Sequence, residues 1–378
     1  MESLMVDQPL KTTKLHAWHQ ANGGRMVDFA GWELPVFYAT GTLAEHHATR
    51  TSVGLFDIDH MGQVMVTGPA AIEAVDRLVS SDMTSLAVGE AKYGLLCAPD
   101  GGVIDDVFVY RTQVDAMMIV VNAANRDVDL AWIGEQADGS ASSVVDRSDE
   151  LEMIAVQGPR AVELVDAVAT STTTRVADLP RFMSTTVELF GTTAIVGRTG
   201  YTGEDGVELY ISGGVEDVWT GLLNQAARDN IEATAVGLSA RDSLRFEPGY
   251  PLYGHELSRD ISPLEARLGW AVNLDGAGFI GRDAIRRKAE DGITRRLETL
   301  VLDDKGVPRE GCHVLDLDGN DIGTVVSGMF APTADVFAAN AFLPLDHVAV
   351  GTQLALDVRG KAKACHVAKR PLYRRSNT

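Results

Sequence analysis

From residue 297 to residue 373 the chain shows no helical periodicity. ETLVL, CHVLD, IGTVVSG, VFAANAFL, QLALDV and KACHVAK follow one another as short apolar and β-branched runs, broken by Gly, Pro and Asp turns. Short strands at that spacing, with no helix between them, close into a small barrel or pack as a sandwich. The change is prepared just upstream. Residues 275–281 are Gly-rich, 282–291 read as a charged helix, and Gly292 ends it. A boundary near residue 290 is therefore expected, with residues 291–378 forming a C-terminal β-barrel-like domain and residues 1–290 a separate region.

That first region mixes periods. Strand patterns fall at 63–67, 93–97, 103–110, 117–121, 153–156, 193–197 and 207–211, and amphipathic helical stretches at 42–51, 70–79, 125–136, 159–168 and 216–228. Pro159, after Gly158, suits a first helical position. The alternation lacks the regular βαβ beat of a doubly wound sheet, so the expected class is α+β with largely antiparallel sheets, organised as two interleaved α+β domains.

Charge narrows the partners. Lys and Arg number 33 against 53 Asp and Glu, a formal −20, which repels nucleic acid and anionic membranes. No apolar run approaches the roughly 18 residues needed to span a bilayer. The opening MESLMVDQPLKTTKLHAW has no basic stretch followed by an apolar one, so a secretory leader is not expected. Cys97, Cys312 and Cys365 are widely spaced and form no disulfide framework, which fits a reducing cytoplasm, and all three are expected to be buried.

Several familiar motifs are absent. The glycines of GYTGEDG do not have dinucleotide-binding spacing, and no GxSxG elbow occurs. In Glu45-His46-His47 the adjacent histidines would point about 100° apart on a helix, so no metal site is expected. Four segments instead ask for a polar task. LFDIDHM places Asp59 and His60 between apolar neighbours. DGGVIDDVFVY carries two carboxylates at the mouth of an apolar strand, of which only one can face a given cavity. The inward carboxylate must meet a protein donor or a ligand, because an unpartnered buried acid is costly. GYTGEDGVELY brings Glu208 into an apolar strand. GLSARDSLRFE puts Arg241 and Arg245 at i, i+4, one helix face, where they either pair internally with Asp242 or Glu247 or together grip an anion.

These segments, in this order, resemble the aminomethyltransferase (T-protein) family of the glycine cleavage system. The resemblance rests on GGRMVDFAGWELPV, EHHATRTSVGLFDIDHM, GGVIDDVFVY, VVNAANRDVDLAWI, MIAVQGPRA, TGYTGEDGVELYI, GLSARDSLRFEPGYPLYGHEL, ISPLEARLGWAV, FIGRDAI and KRPLYRR, together spanning nearly the whole chain. It implies a three-domain cloverleaf around a central folate channel. The implied reaction takes the aminomethyl group from the lipoyl arm of the H protein and passes its carbon to tetrahydrofolate, forming 5,10-methylenetetrahydrofolate and releasing ammonia.

By the same resemblance the catalytic acid matches Asp106, and Glu208, Arg241 and Asn122 match folate contacts, with Arg241 on the glutamate tail. Tyr93, Met61, Tyr201 and Tyr253 are candidate channel walls. The match departs at Phe37, Asp59 and Pro248, where Gln, Ser and Ala are expected. Asp59 and His60 are therefore candidates for the donor pocket. Two other readings stand beside the first. One is a tetrahydrofolate-dependent demethylase acting on a small sulfonium, N-methyl or methyl-ether donor. The other is a non-enzymatic folate-binding module, whose Lys-Gly-Cys motif this sequence lacks.

Overall fold

The computed structural model describes residues 9–137, 141–171, 173–276 and 278–376. Much of the opening segment read against a leader, and Ala277 of the Gly-rich stretch, lie outside the described residues. The fold is α+β, ending in a closed six-stranded barrel.

Two sheets face each other across the first region. The larger runs Ser184–Leu189, Thr192–Gly197, Gly206–Ile211, Glu152–Gln157, Val53–Asp57, Ala233–Ala235, antiparallel except for the last pair. The five-stranded sheet runs Ala91–Cys97, Val103–Gln113, Ala116–Val121, Gly62–Thr67, Ser143–Asp146, antiparallel throughout. Strand alternation divides each sheet's side chains between two cores. Val207, Leu209 and Ile211 pack outward with Leu164, Val218 and Trp219 of the helices Ala161–Asp166 and Val215–Arg228. Tyr210 turns inward, where it meets Phe56 and Ala155 of its own sheet and Tyr110 and Met118 of the other. Val107 and Val109 likewise back onto the helices Ala71–Leu78 and Arg126–Ala137. The result is helices outside, two sheets inside, and a seam between the sheets.

The expected strands and helices form within about three residues of their predicted ends, with one difference of substance. Pro159 is not the first helical residue. Gly158 (φ +129°) donates to the Asp205 carbonyl, Arg160 is the N-cap, and the helix is only Ala161–Asp166. A side chain on Gly158 would meet the Ser52 carbonyl oxygen at 2.2 Å, so this turn is held against the neighbouring chain rather than started by proline.

The barrel order is Arg295–Leu302, Val336–Pro344, Asp321–Ala331, His313–Leu315, Gln353–Asp357, Ala362–Val367. Its interior holds Leu300, Val314, Val325, Leu343, Leu356 and Val367. Beyond the last strand the chain returns to the sheets. Tyr373 donates its backbone N–H to the Glu247 carbonyl and its hydroxyl to Glu204, and Arg50 lies 3.9 Å above its ring. Arg50 also bridges Glu204 (3.2 Å) and Glu247 (2.8 Å), tying the tail to the helices of the first region.

Candidate functional site

Alternation along Val103–Gln113 separates the two adjacent acids. Asp105 shares a side with Val107 and Val109 and lies fully buried toward the helix Arg126–Ala137. It accepts from Asn122 N (2.9 Å), Asn122 Nδ2 (3.0 Å) and Asn125 Nδ2 (2.8 Å). Asp106 turns into the seam between the sheets, accepting from Tyr93 Oη (3.1 Å) and Asn122 Nδ2 (3.0 Å). The inward acid thus meets protein donors and also lines a cavity of about 430 Å³. Burial, then the Asp105 charge, push the Asp106 carboxyl up to about 7 against those hydrogen bonds. It therefore titrates near neutrality and is poised to gain charge when a cation arrives.

The cavity collects the other expected residues. Asn122, Glu208 and Arg241 line it with Asp106, and so do Met61, Tyr93, Tyr201 and Tyr253. Glu208 is the one carboxylate of Gly206–Ile211, at an inward position. It accepts from Thr199 Oγ1 (2.5 Å), and burial raises its pKa against the pull of Thr199 and Arg241. Arg241, from the helix Leu238–Phe246, spreads its guanidinium 4.8 Å from the Tyr201 ring centre. Among the described residues it makes no ion pair within 4.0 Å and no hydrogen bond from its side chain, and burial lowers its pKa. Tyr201 is fixed by donating to the Pro251 carbonyl and by stacking on Tyr250, and Tyr253 by donating to the Val103 carbonyl at 3.2 Å.

Arg245 does not join Arg241 in an anion site. One turn further on, it is buried and held by Asp242 (2.8 Å), Glu256 (3.0 Å), Ser327 Oγ (3.1 Å) and the Tyr250 carbonyl (3.2 Å). Burial would lower its pKa, but the Glu256 charge raises it. Glu247, the other partner considered for it, binds Arg50 instead.

Asp59 and His60 are not among the residues lining the cavity. The reason is the turn after Val53–Asp57. Asp57 accepts from Thr13 Oγ1 (2.6 Å), His19 Nε2 (2.7 Å) and Asp59 N (3.0 Å), folding the turn back on itself. Asp59 then accepts from Met153 N at 3.0 Å, and burial with the Asp57 charge pushes it up to about 7. His60 is 2 % exposed, its edge on the Phe29 ring, and burial and the Arg241 charge hold it neutral. Of LFDIDHM, Phe56, Ile58 and Met61 reach the cavity. The departures at Phe37 and Pro248 stand off the wall too. Phe37 lies beneath Arg25, while Pro248 packs behind the Gly203 turn, where a Cβ would meet its ring at 3.0 Å.

Among the cavity residues given no role from the sequence, one shapes its entrance. Trp270 is 71 % exposed and stacks on Tyr93 at 5.4 Å and 27°, giving the mouth a flat aromatic platform. The available signal was a tryptophan after glycine in a segment without apolar periodicity, which a core residue seldom occupies. Cys97 and Cys365 are buried, Cys312 only partly, and all three are free thiols. Among the described residues no group of His, Cys, Asp or Glu is arranged to hold a metal ion, and no helix is long and apolar enough to cross a membrane.

Residues 15–276 match the family model described as the GCVT N-terminal domain, and residues 295–374 match the glycine cleavage T-protein C-terminal barrel domain. Aminomethyltransferases of Herpetosiphon aurantiacus and Symbiobacterium thermophilum are each 42 % identical. They align over 97 % and 98 % of this chain, and 99 % of each relative. The crystal structure of the glycine cleavage system aminomethyltransferase T from Bartonella henselae superposes with a TM-score of 0.89. It is 32 % identical, and the match covers 96 % of this chain and 98 % of that one.

Proposed function

The chain belongs to the glycine cleavage T-protein family of aminomethyltransferases, and from that premise we propose that its cavity holds tetrahydrofolate while an aminomethyl-lipoyl arm of the H protein delivers the carbon. Both bonds from that carbon, to sulfur and to nitrogen, are exchanged for bonds to N5 and N10 of the folate. The two hydrogens those nitrogens lose leave on the thiol and on ammonia, so the step balances without an oxidant.

The observation that carries the reading is one cavity with an acid near its ionisation point at one place and an unpaired arginine at another. A pteridine has an array of N–H donors suited to Asp106 and Glu208, and a glutamate tail supplies the carboxylate that Arg241 lacks. Asp106 orients the folate ring and offsets positive charge developing on the transferred carbon. Met61, Tyr201 and Tyr253 keep water from it, and the Tyr93–Trp270 stack forms the aromatic part of the mouth. No side chain of the cavity needs to act as a nucleophile. Catalysis here is placement and charge.

Glu208, Arg241 and Asn122 thereby become the folate contacts, and Asp59 and His60 support the wall rather than the donor. The boundary near residue 290 then divides a folate-binding region from a barrel whose tail braces the Gly200–Gly206 loop. Free thiols suit a cytoplasmic setting. The decisive test mixes the purified protein with tetrahydrofolate and aminomethyl-loaded H protein. Ammonia and 5,10-methylenetetrahydrofolate should appear together. Methyl transfer to tetrahydrofolate from a panel of small methylated donors, with no ammonia from the loaded H protein, would overturn the proposal in favour of demethylation.

A further inference from the structure

Behind Asp106 lies a second layer of acid that the transferred carbon does not touch. Asp129, on the helix Arg126–Ala137, is fully buried, and both of its carboxyl oxygens lack a hydrogen-bond donor among the described residues. The group it interacts with side chain to side chain is Asp105 on the adjacent sheet. The two acids are treated unequally by their surroundings. Asp105 receives three N–H donors from Asn122 and Asn125, and Asp129 receives none.

Neighbouring carboxyls sealed from water cannot both ionise. The one with donors keeps the charge, because a buried carboxylate without them has nothing to replace its hydration. The charged groups facing Asp129 are Asp105 and Asp106 from the strand and Arg259 from the segment between Leu257 and Ile261. Burial first, then the Asp105 charge, raise the Asp129 pKa far above the usual carboxylate range, with Asp106 adding and Arg259 only opposing. Arg259 makes no ion pair with it within 4.0 Å.

We propose that Asp129 is a positioning residue held as a neutral acid, its O–H donating to Asp105, so that the geometry and charge of the catalytic Asp106 depend on a proton stored on the helix behind it. The path is short. Asn122 Nδ2 is shared between Asp105 and Asp106, at 3.0 Å from each. A fourth donor on Asp105 spreads its negative charge and weakens its repulsion of Asp106. Asp106 is then free to ionise near neutrality, where it faces the electron-poor carbon. Without that donor the Asp105 charge is more concentrated, and Asp106 holds its own proton to higher pH.

The role assigned to Asp106 rests on the aminomethyl-transfer reading, but the protonation of Asp129 does not. Asp129→Asn supplies an amide N–H in place of the acid O–H, and Asp129→Leu supplies none. The asparagine variant should stay within about threefold of wild type with an unmoved acid limb in its pH profile, since its amide N–H takes over the acid O–H as a donor to Asp105. The leucine variant should lose activity most at mildly acid pH and recover it in alkali. A residue that merely filled space would lower activity evenly across pH.

Wild-type minus Asp129→Asn infrared difference spectra at about pH 9, where Asp59 and Asp106 (each at about 7) are ionised, should show a protonated-carboxyl band. Absence of that band, or an asparagine variant as damaged as the leucine one, would overturn the proposal. If the leucine variant fails to fold, the infrared comparison still decides. If the wild-type protein shows no ammonia release, the transfer reading fails while the infrared result stands or falls alone.

Discussion

Asp106→Asn preserves the volume, planarity and one acceptor oxygen of a side chain that accepts from Tyr93 and Asn122, so the variant should fold and hold folate nearly as before. What it removes is a negative charge. A unit charge about 4 Å from a developing cation, in a site of effective dielectric about 20, contributes roughly 4 kcal/mol. At 1.36 kcal/mol per decade that is about 10³ in rate. Because Asp106 titrates at about 7, only about half of it is ionised at neutral pH before the cation forms, and the expected loss falls between about 10² and 10³. Single-turnover ammonia release with loaded H protein measures that loss, and calorimetric titration with tetrahydrofolate should show a dissociation constant within a few-fold of wild type. The pH profile gives an independent arm. Wild-type turnover should rise with pH through about 7 as Asp106 ionises, and the variant should lack that limb. Turnover of Asp106→Asn within threefold of wild type, or an unchanged acid limb, would remove Asp106 from the reaction.

Arg241→Ala should weaken tetrahydrofolate binding by about 10- to 100-fold, the worth of one charge-assisted contact, with a smaller effect on turnover at saturation. Equal dissociation constants for variant and wild type would rule out the tail contact. Asp105→Asn removes the charge that raises the Asp106 pKa, so the acid limb of the pH profile should move to lower pH; an unmoved limb would show that burial alone sets it. Burial would raise the Glu247 pKa, but hydrogen bonds from His46 and Arg50 prevail and hold it at about 2. His46 is itself kept low by burial, so the permanent charge of Arg50 is the firmer support. The linked stability is present above the unfolded glutamate value near 4.5 and lost as pH falls from there toward 2. Arg50→Met should cost about 3–5 kcal/mol by urea denaturation at neutral pH, and the gap to wild type should narrow in acid. A gap that did not change with pH would place the loss in packing against Tyr373 instead.

How much of this was visible in the sequence depends on the range of the contact involved. The C-terminal strands were legible because their turns are local, but their order in the barrel was not. Arg295–Leu302 pairs with Val336–Pro344 and Ala362–Val367, choices made by long-range closure. Glu208 and the Asp105-Asp106 doublet were legible as carboxylates at odds with apolar strands; alternation allowed one acid of the doublet to face the seam, and the family resemblance chose Asp106. Asp59 and His60 carried the same kind of signal and do not reach the cavity, because Asp57 bends the turn and Met153 N takes up the Asp59 carboxylate. An acid among apolar residues therefore marks a buried polar contact, and the sequence does not say whether a ligand or a backbone amide fills it. Asp129 was hidden by the opposite effect, since an acid in a helix reads as a solvated face until the sheet is laid against it.

Paired residues show what separates a functional charge from a structural one in this fold. Arg241 and Arg245 share a helix and a face, and Asp105 and Asp106 are sequence neighbours, so helix and strand propensity treat the members of each pair almost alike. The surrounding chain does not. Arg245 is met by Glu256 from a following loop and by Ser327 from the barrel, eleven and eighty-two residues away in sequence, while Arg241 faces the cavity and, among the described residues, makes no ion pair within 4.0 Å. Asp105 is satisfied by three amide donors, while Asp106 keeps two and an open side. In each pair the tertiary contacts give one member a full set of partners and leave the other partly desolvated. A partly desolvated charge without a full set of partners lowers its energy most when a complementary ligand arrives. The barrel thus helps to occupy Arg245 through Ser327, while Arg241 stays at the cavity wall as a cation that can meet an incoming carboxylate. Ser327→Ala should disturb Arg245 and stability while sparing folate affinity, whereas an equal loss of affinity in Ser327→Ala and Arg241→Ala would mean that the two arginines act as one site after all.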